Sequence, residues 1–192
     1  VQPLLLNRAL AQIEEGTEGQ TDWYFLGIGG AAYQSVFRRE VESVQSLFDN
    51  RFSADGHSMV LINDDDTTLS QPIATRTSIS KAIETIGERM NKDEDVLFLF
   101  LTSHGSADGV FELNHAPLQI QSLTPDWLKS QLDSAGIKWR VIVVSSCFSG
   151  TFIPLLQDTS SLIITASAAN KTSFGCTDDA DFTYFGRAFF DE

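Results

Sequence analysis

The sequence predicts an α/β domain, a three-layer sandwich with a mostly parallel sheet and helices on both faces. Short β-rich apolar runs alternate with helical patterns along the chain, the order that a parallel sheet requires. Two of the runs, Val-Leu-Phe-Leu-Phe-Leu at 96–101 and Val-Ile-Val-Val at 141–144, are apolar at every position. Strands of that kind are covered on both sides. A chain of 192 residues is long enough to bury one full core without covalent staples.

The elements follow in order. Leu4–Ile13 is amphipathic and predicts a leading helix, which a Glu/Gly/Thr-rich break ends. Trp23–Ile28 is the first strand. Phe37, Val41, Val44 and Phe48 recur at helical spacing. Met59–Ile62 is the second strand, and Ile79, Ile83, Ile86 and Met90 mark the next helix. Val96–Leu101 follows. Gly109–Ile120 reads as a small hairpin, Val-Phe-Glu-Leu against Pro-Leu-Gln-Ile. Thr124, Pro125 and Asp126 supply an N-cap, a first-position proline and a first-turn acid, and Gly136 stops that helix. Val141–Val144, a helix starting at Cys147 and running through Phe148 and Phe152, and a strand at Leu162–Ala166 complete the pattern. Trp23, Trp127 and Trp139 are expected to be packing aromatics. His57 and His115, both in turns, are expected at the surface. Asp64-Asp65-Asp66 reads as a solvated turn rather than a site for a hard cation.

Composition excludes several functions. There are 26 acidic and 13 basic residues, a net charge of −13, which repels nucleic acids and anionic membrane surfaces. No run of about 18 apolar residues is present to cross a bilayer. Cys147 and Cys176 are too few for a disulfide framework. With His57, His104 and His115 they form no zinc-ligand spacing, so neither metal nor cofactor is expected. The chain begins at Val1, so the lack of a leader says little about compartment.

The chemistry is expected where parallel strands end, because ligands bind outside the carboxyl edge of such a sheet. After Val96–Leu101 come Thr102, Ser103, His104 and Gly105. After Val141–Val144 come Ser145, Ser146, Cys147, Phe148, Ser149 and Gly150. The two most apolar strands thus deliver one imidazole and one thiol to a common edge. A thiolate is the nucleophile, and an adjacent His serves as base and then as acid toward the leaving group. The backbone N–H groups of Gly105 and Cys147 are candidates for an oxyanion hole. A rival motif, Gly27-Ile-Gly29-Gly30-Ala-Ala32, fits the dinucleotide-binding pattern. The acid expected about 20 residues further on is missing, since the strand-end acid is Asp64.

Thr-Ser-His104-Gly-Ser and Ser-Ser-Cys147-Phe-Ser-Gly resemble the His-Gly and Ala-Cys-x-Ser-Gly motifs of the legumain-type (C13) cysteine peptidases. Ile-Thr-Ala-Ser-Ala-Ala-Asn170-Lys-Thr-Ser-Phe-Gly-Cys176 resembles that family's Thr-Ala-Ala-Asn segment and its Ser-Tyr-Ala-Cys ending. The similarity runs from about Trp23 to Phe189. It implies a caspase-like fold, with residues 1–20 as a leading helix and break and 21–192 as the peptidase domain. It implies a cysteine endopeptidase with His104 and Cys147 as the catalytic pair and the amides of Gly105 and Cys147 at the oxyanion. Cys176 would be a structural thiol. The partner implied is a peptide or protein substrate, with no nucleic acid and no membrane insertion by this segment, in a chain open to being part of a larger or membrane-anchored protein. The resemblance leans toward an extracytoplasmic compartment.

The departures concern specificity. Legumains cleave after Asn with a pocket of one basic and two acidic side chains. One acid sits two residues before the catalytic Cys, where this chain has Ser145; the other lies in the closing segment, where it has Arg187. Ser167 and Ala168 of the third motif join these two as substrate-binding candidates. The family's basic residue falls within Gln34–Arg39. Val36 is the best placement, with Arg38 and Arg39 left open. The family's Asn that orients the His is absent between Trp23 and Phe48, leaving Gln34 or a backbone carbonyl for that role. The expectation is a more cationic pocket, favouring acidic or small polar residues before the scissile bond. The alternatives are a transpeptidase or ligase on the same dyad, a non-catalytic peptide-binding relative, and, remotely, a dinucleotide-binding protein.

Overall fold

Among the described residues five strands, β1 (Trp23–Gly29), β2 (Ser58–Ile62), β3 (Val96–Thr102), β4 (Trp139–Ser145) and β5 (Ser161–Thr165), run parallel in one sheet of order β2-β1-β3-β4-β5. Among the described residues the α-helices are α1 (Gln2–Ala11), α2 (Val36–Arg51), α3 (Arg76–Arg89), α4 (Pro125–Ser134) and two short ones, α5 (Ile153–Leu156) and α6 (Tyr184–Gly186). This computed structural model describes residues 1–173 and 180–191; Cys176 lies outside the described residues.

The alternation along β3 explains the three layers. Leu97, Leu99 and Leu101 enter the core shared with α1, α3 and α4, while Phe98 and Phe100 enter the one shared with α2. Phe182, Phe185 and Phe190 pack against that second core, so the closing segment covers the part of the sheet beside α2. The five side chains from Leu97 to Leu101 are all buried, each worth about 1.5–3 kcal/mol relative to exposure. β1 alternates in step, with Tyr24, Leu26 and Ile28 on one face and Phe25 on the other. Gly27 lets α2 approach: a Cβ there would lie 2.7 Å from Val41 Cγ1.

The five predicted strands and the leading helix are present, with their ends shifted by one or two residues. The leading helix is docked. Leu6 and Ile13 belong to the main core, and the Gln2 amide donates to the carbonyls of Thr68 and Gln71 and accepts from Ile73 N–H. Gly136 takes the left-handed φ of 68° just past the end of α4, as a helix stop requires. Thr124 holds the N-cap position without a side-chain cap bond.

Four local expectations are corrected. The segment Gly109–Ile120 is not a regular hairpin, because Phe111 exchanges both backbone hydrogen bonds with Leu123 at 2.9 Å. Pro117 has no N–H for the ladder the pattern suggested. His57 and His115 are buried. His57 Nε2 lies 3.2 Å from the Glu15 carbonyl and His115 Nε2 lies 2.8 Å from Thr68 Oγ1. An imidazole can be buried wherever the fold supplies such a partner, and a partner distant in sequence leaves no local signature. Asp65 and Asp66 are exposed as a solvated turn should be. Asp64 is instead buried, facing Arg38 Nε at 3.0 Å. Trp139 is 37% exposed at the start of β4, with its indole N–H donated to the Asp93 carbonyl.

Candidate active site

β3 and β4 are paired so that Thr102 lies opposite Ser145. Ser103 N–H donates to the Ser145 carbonyl at 3.2 Å, extending that pairing by one residue. The His104-Gly105 and Ser146-Cys147 turns therefore leave the sheet side by side. They touch through backbone. A Cβ built on Gly105 would overlap the Cys147 carbonyl oxygen and lie 2.9 Å from Ser146 Oγ, so only glycine fits without a shift.

β1 lies on the other side of β3, and the loop after it carries Gln34 to the imidazole. Gln34 Oε1 is 2.5 Å from His104 Nε2. Tyr33 stacks on the ring at 5.6 Å and 7°, and Phe37 meets it edge-on at 5.2 Å and 90°. One hydrogen bond and two aromatic contacts thus fix the ring plane. An amide oxygen at Nε2 favours the tautomer with its proton there and makes Nδ1 the basic nitrogen. Tyr33 donates its hydroxyl to Glu112 at 2.8 Å. Burial, and then that bond, push its pKa up to about 12, so it stays a neutral ring against His104.

Cys147 is a free, half-buried thiol. It does not open a helix. Phe148 adopts a left-handed conformation, φ 56° and ψ 20°, and a single 3₁₀ turn, Ser149–Phe152, separates it from α5. Among the described residues, the backbone donor within reach of the thiol is instead Ser173 N–H, 3.2 Å from Sγ. The third motif wraps the second. Phe148 N–H donates to the Lys171 carbonyl at 2.8 Å and Gly150 N–H to the Ser167 carbonyl at 2.9 Å. Gly150 is required there, since a Cβ would overlap Ala169 N and lie 2.8 Å from the Ala168 carbonyl carbon. Among the described residues neither Gly105 N–H nor Cys147 N–H donates to another group.

The specificity candidates separate. Ser145 is buried, its Oγ 3.2 Å from Thr183 Oγ1. Ser167 is held within the cysteine turn, donating Oγ to the Ser146 carbonyl at 3.1 Å. Ala168 and Arg187 are exposed. Val36 is fully buried beside Ala31 and Phe37, so the best sequence placement brings no cation. Arg38 faces Asp64 and Glu42, and Arg39 donates to the Ala180 carbonyl at 2.7 Å. The glycines of the dinucleotide-like run serve contacts within the chain: a Cβ on Gly30 would overlap the Glu112 carbonyl. Sequence reasoning missed Tyr33 and Glu40. Glu40 lies at i+3 from Phe37 and i−4 from Val44, an acid within an apolar stripe, which was the available signal.

The profile of the peptidase C13 family matches residues 80–192 of this chain. The chain belongs to the peptidase C13 family. Of this C13 chain, 84 residues are 34% identical to a legumain from Canavalia ensiformis, a stretch that covers 43% of the chain and 18% of that relative. The sequence motifs around His104 and Cys147 lie inside the family match, while Gln34 and Glu40 precede it. The five-stranded parallel sheet with helices on both faces is the caspase-like architecture that the resemblance implied. No helix among the described residues of the C13 chain is long and apolar enough to cross a membrane.

Proposed function

We propose that this C13 chain is a cysteine endopeptidase using Cys147 and His104. His104 Nδ1 takes the thiol proton, and the thiolate forms a C–S bond to the peptide carbonyl carbon while the carbonyl π electrons move to oxygen. The N–H groups of Gly105 and Cys147 stabilise that oxyanion. Collapse breaks the C–N bond, His104 gives its proton to the leaving amine, and water activated by the same imidazole hydrolyses the thioester. The observation that carries the reading is the contact of Gly105 with the Cys147 carbonyl, which joins the two motif turns at one strand edge. An amine replacing that water would make the same dyad a transpeptidase.

A peptide bearing a thiol-reactive electrophile tests the assignment. It is expected to label Cys147, and labelling should fall at least about 100-fold in His104→Ala. Labelling of Cys176 alone, or of neither cysteine, would favour a non-catalytic peptide-binding protein.

The finer part of the proposal concerns the residue before the scissile bond. With Ser145 in place of one family acid and Arg187 in place of the other, acidic or small polar residues should be favoured over Asn. Profiling with a peptide library is expected to show that preference, weakened by Arg187→Ala. A clear preference for Asn, with Arg187→Ala inert, would sink it.

A further inference from the structure

Glu40 is fully buried on α2, and among the described residues no cation pairs with it. Its Oε2 accepts a 2.5 Å hydrogen bond from the hydroxyl of Thr102, the last residue of β3. Its Oε1 accepts the Thr183 hydroxyl at 2.7 Å and the Thr183 N–H at 3.1 Å. Thr183 Oγ1 in turn lies 3.2 Å from the hydroxyl of Ser145, the last residue of β4, and accepts Gly186 N–H at 3.0 Å. Gly186 sits directly on the acid, since a Cβ there would overlap the Glu40 carboxyl.

Each arm of this network leads to the site. Two residues beyond Thr102 is His104, two beyond Ser145 is Cys147, and the residue after Gly186 is Arg187. A buried acid is a poor source of stability, because an apolar side chain of similar volume packs as well without the desolvation cost. Burial raises the pKa of Glu40, and the hydrogen bonds from Thr102 and Thr183 oppose that rise. What an apolar side chain lacks is the pair of acceptors that grips two separate segments.

We propose that Glu40 is a positioning residue for substrate recognition, latching the segment Thr183–Arg187 against the ends of β3 and β4. The inference rests on the peptidase reading. It assigns Glu40 to the binding of the peptide and not to the reactivity of the thiol.

The test compares Glu40→Leu and Glu40→Gln with the unaltered protein. Three quantities are measured: KM and kcat for a preferred peptide, the rate of Cys147 alkylation by iodoacetamide, and amide exchange at Thr183, Gly186 and Arg187. In Glu40→Leu, KM is expected to rise about tenfold with alkylation within about twofold of the unaltered rate. Exchange at the three amides should quicken about tenfold or more. Glu40→Gln should return KM and amide exchange to the values of the unaltered protein, because its amide donates to Thr102 Oγ1 and accepts from Thr183. Should Glu40→Leu fail to fold, Thr183→Val carries the same expectation. An unchanged KM in Glu40→Leu or Thr183→Val, or a parallel fall in kcat and alkylation with the risen KM that Glu40→Gln does not rescue, overturns the role of Glu40 alone. No cleavage by the unaltered protein, with its three amides still protected, overturns the peptidase reading and the role in binding with it.

Discussion

Replacing Cys147 with Ala is expected to lower peptide hydrolysis by at least about 10⁴-fold, since loss of a nucleophile removes the covalent path altogether. The fold should survive. The side chain is half-buried, and among the described residues its loss forfeits only the weak hydrogen bonds of Sγ with Ser173 N–H and carbonyl at 3.2 and 3.7 Å. These are worth about 1 kcal/mol or less. Steady-state cleavage, with a thermal melt alongside, reads both effects. Full activity in the variant would refute the assignment, and a collapsed melt would leave a structural role for the thiol.

Gly105→Ala is expected to have the next largest effect, a fall in kcat of about 10²–10³-fold, the scale of losing an oxyanion donor. The reason is steric. The new methyl carbon would overlap the Cys147 carbonyl oxygen, and backbone cannot yield as a flexible side chain does. The cysteine turn has little room to retreat, being tied to the third motif through Phe148 N–H, Gly150 N–H and Ser167 Oγ. The His104 turn therefore moves away, taking the imidazole and the Gly105 N–H with it. Cleavage at wild-type rate by a folded Gly105→Ala protein would show that the two turns do not work together.

Much of this arrangement was legible in the sequence because its determinants are local. The Leu/Phe alternation at 97–101 states both the strand and its two buried faces. The positions of His104 and Cys147 follow from where two such strands stop. What was not legible depends on contacts between distant residues. Gln34, which reaches His104 across 70 positions, is only one of two alternatives that the family resemblance leaves open, and Glu40 reaches Thr183 across 143; no periodicity reports either. The helix expected to begin at Cys147 failed for a different reason. Phe148 takes a left-handed conformation that a bulky residue adopts only when the surrounding fold imposes it. The burial of His57, His115 and Asp64 likewise depended on partners that only the tertiary structure supplies.

The pairing of β1 with β3 has a consequence for how the protein comes into being. It closes a loop whose ends, Asp22 and Asp95, lie 73 residues apart, and pairings of such range are slow to form. The loop that brings Gln34 to His104 is set by that same closure, so a chain still folding carries the thiol without its oriented base. In the proposed mechanism the nucleophile is thus armed only when the central strands have joined. A nascent or partly unfolded molecule would be harmless to its neighbours, and onset of activity would report completion of the sheet.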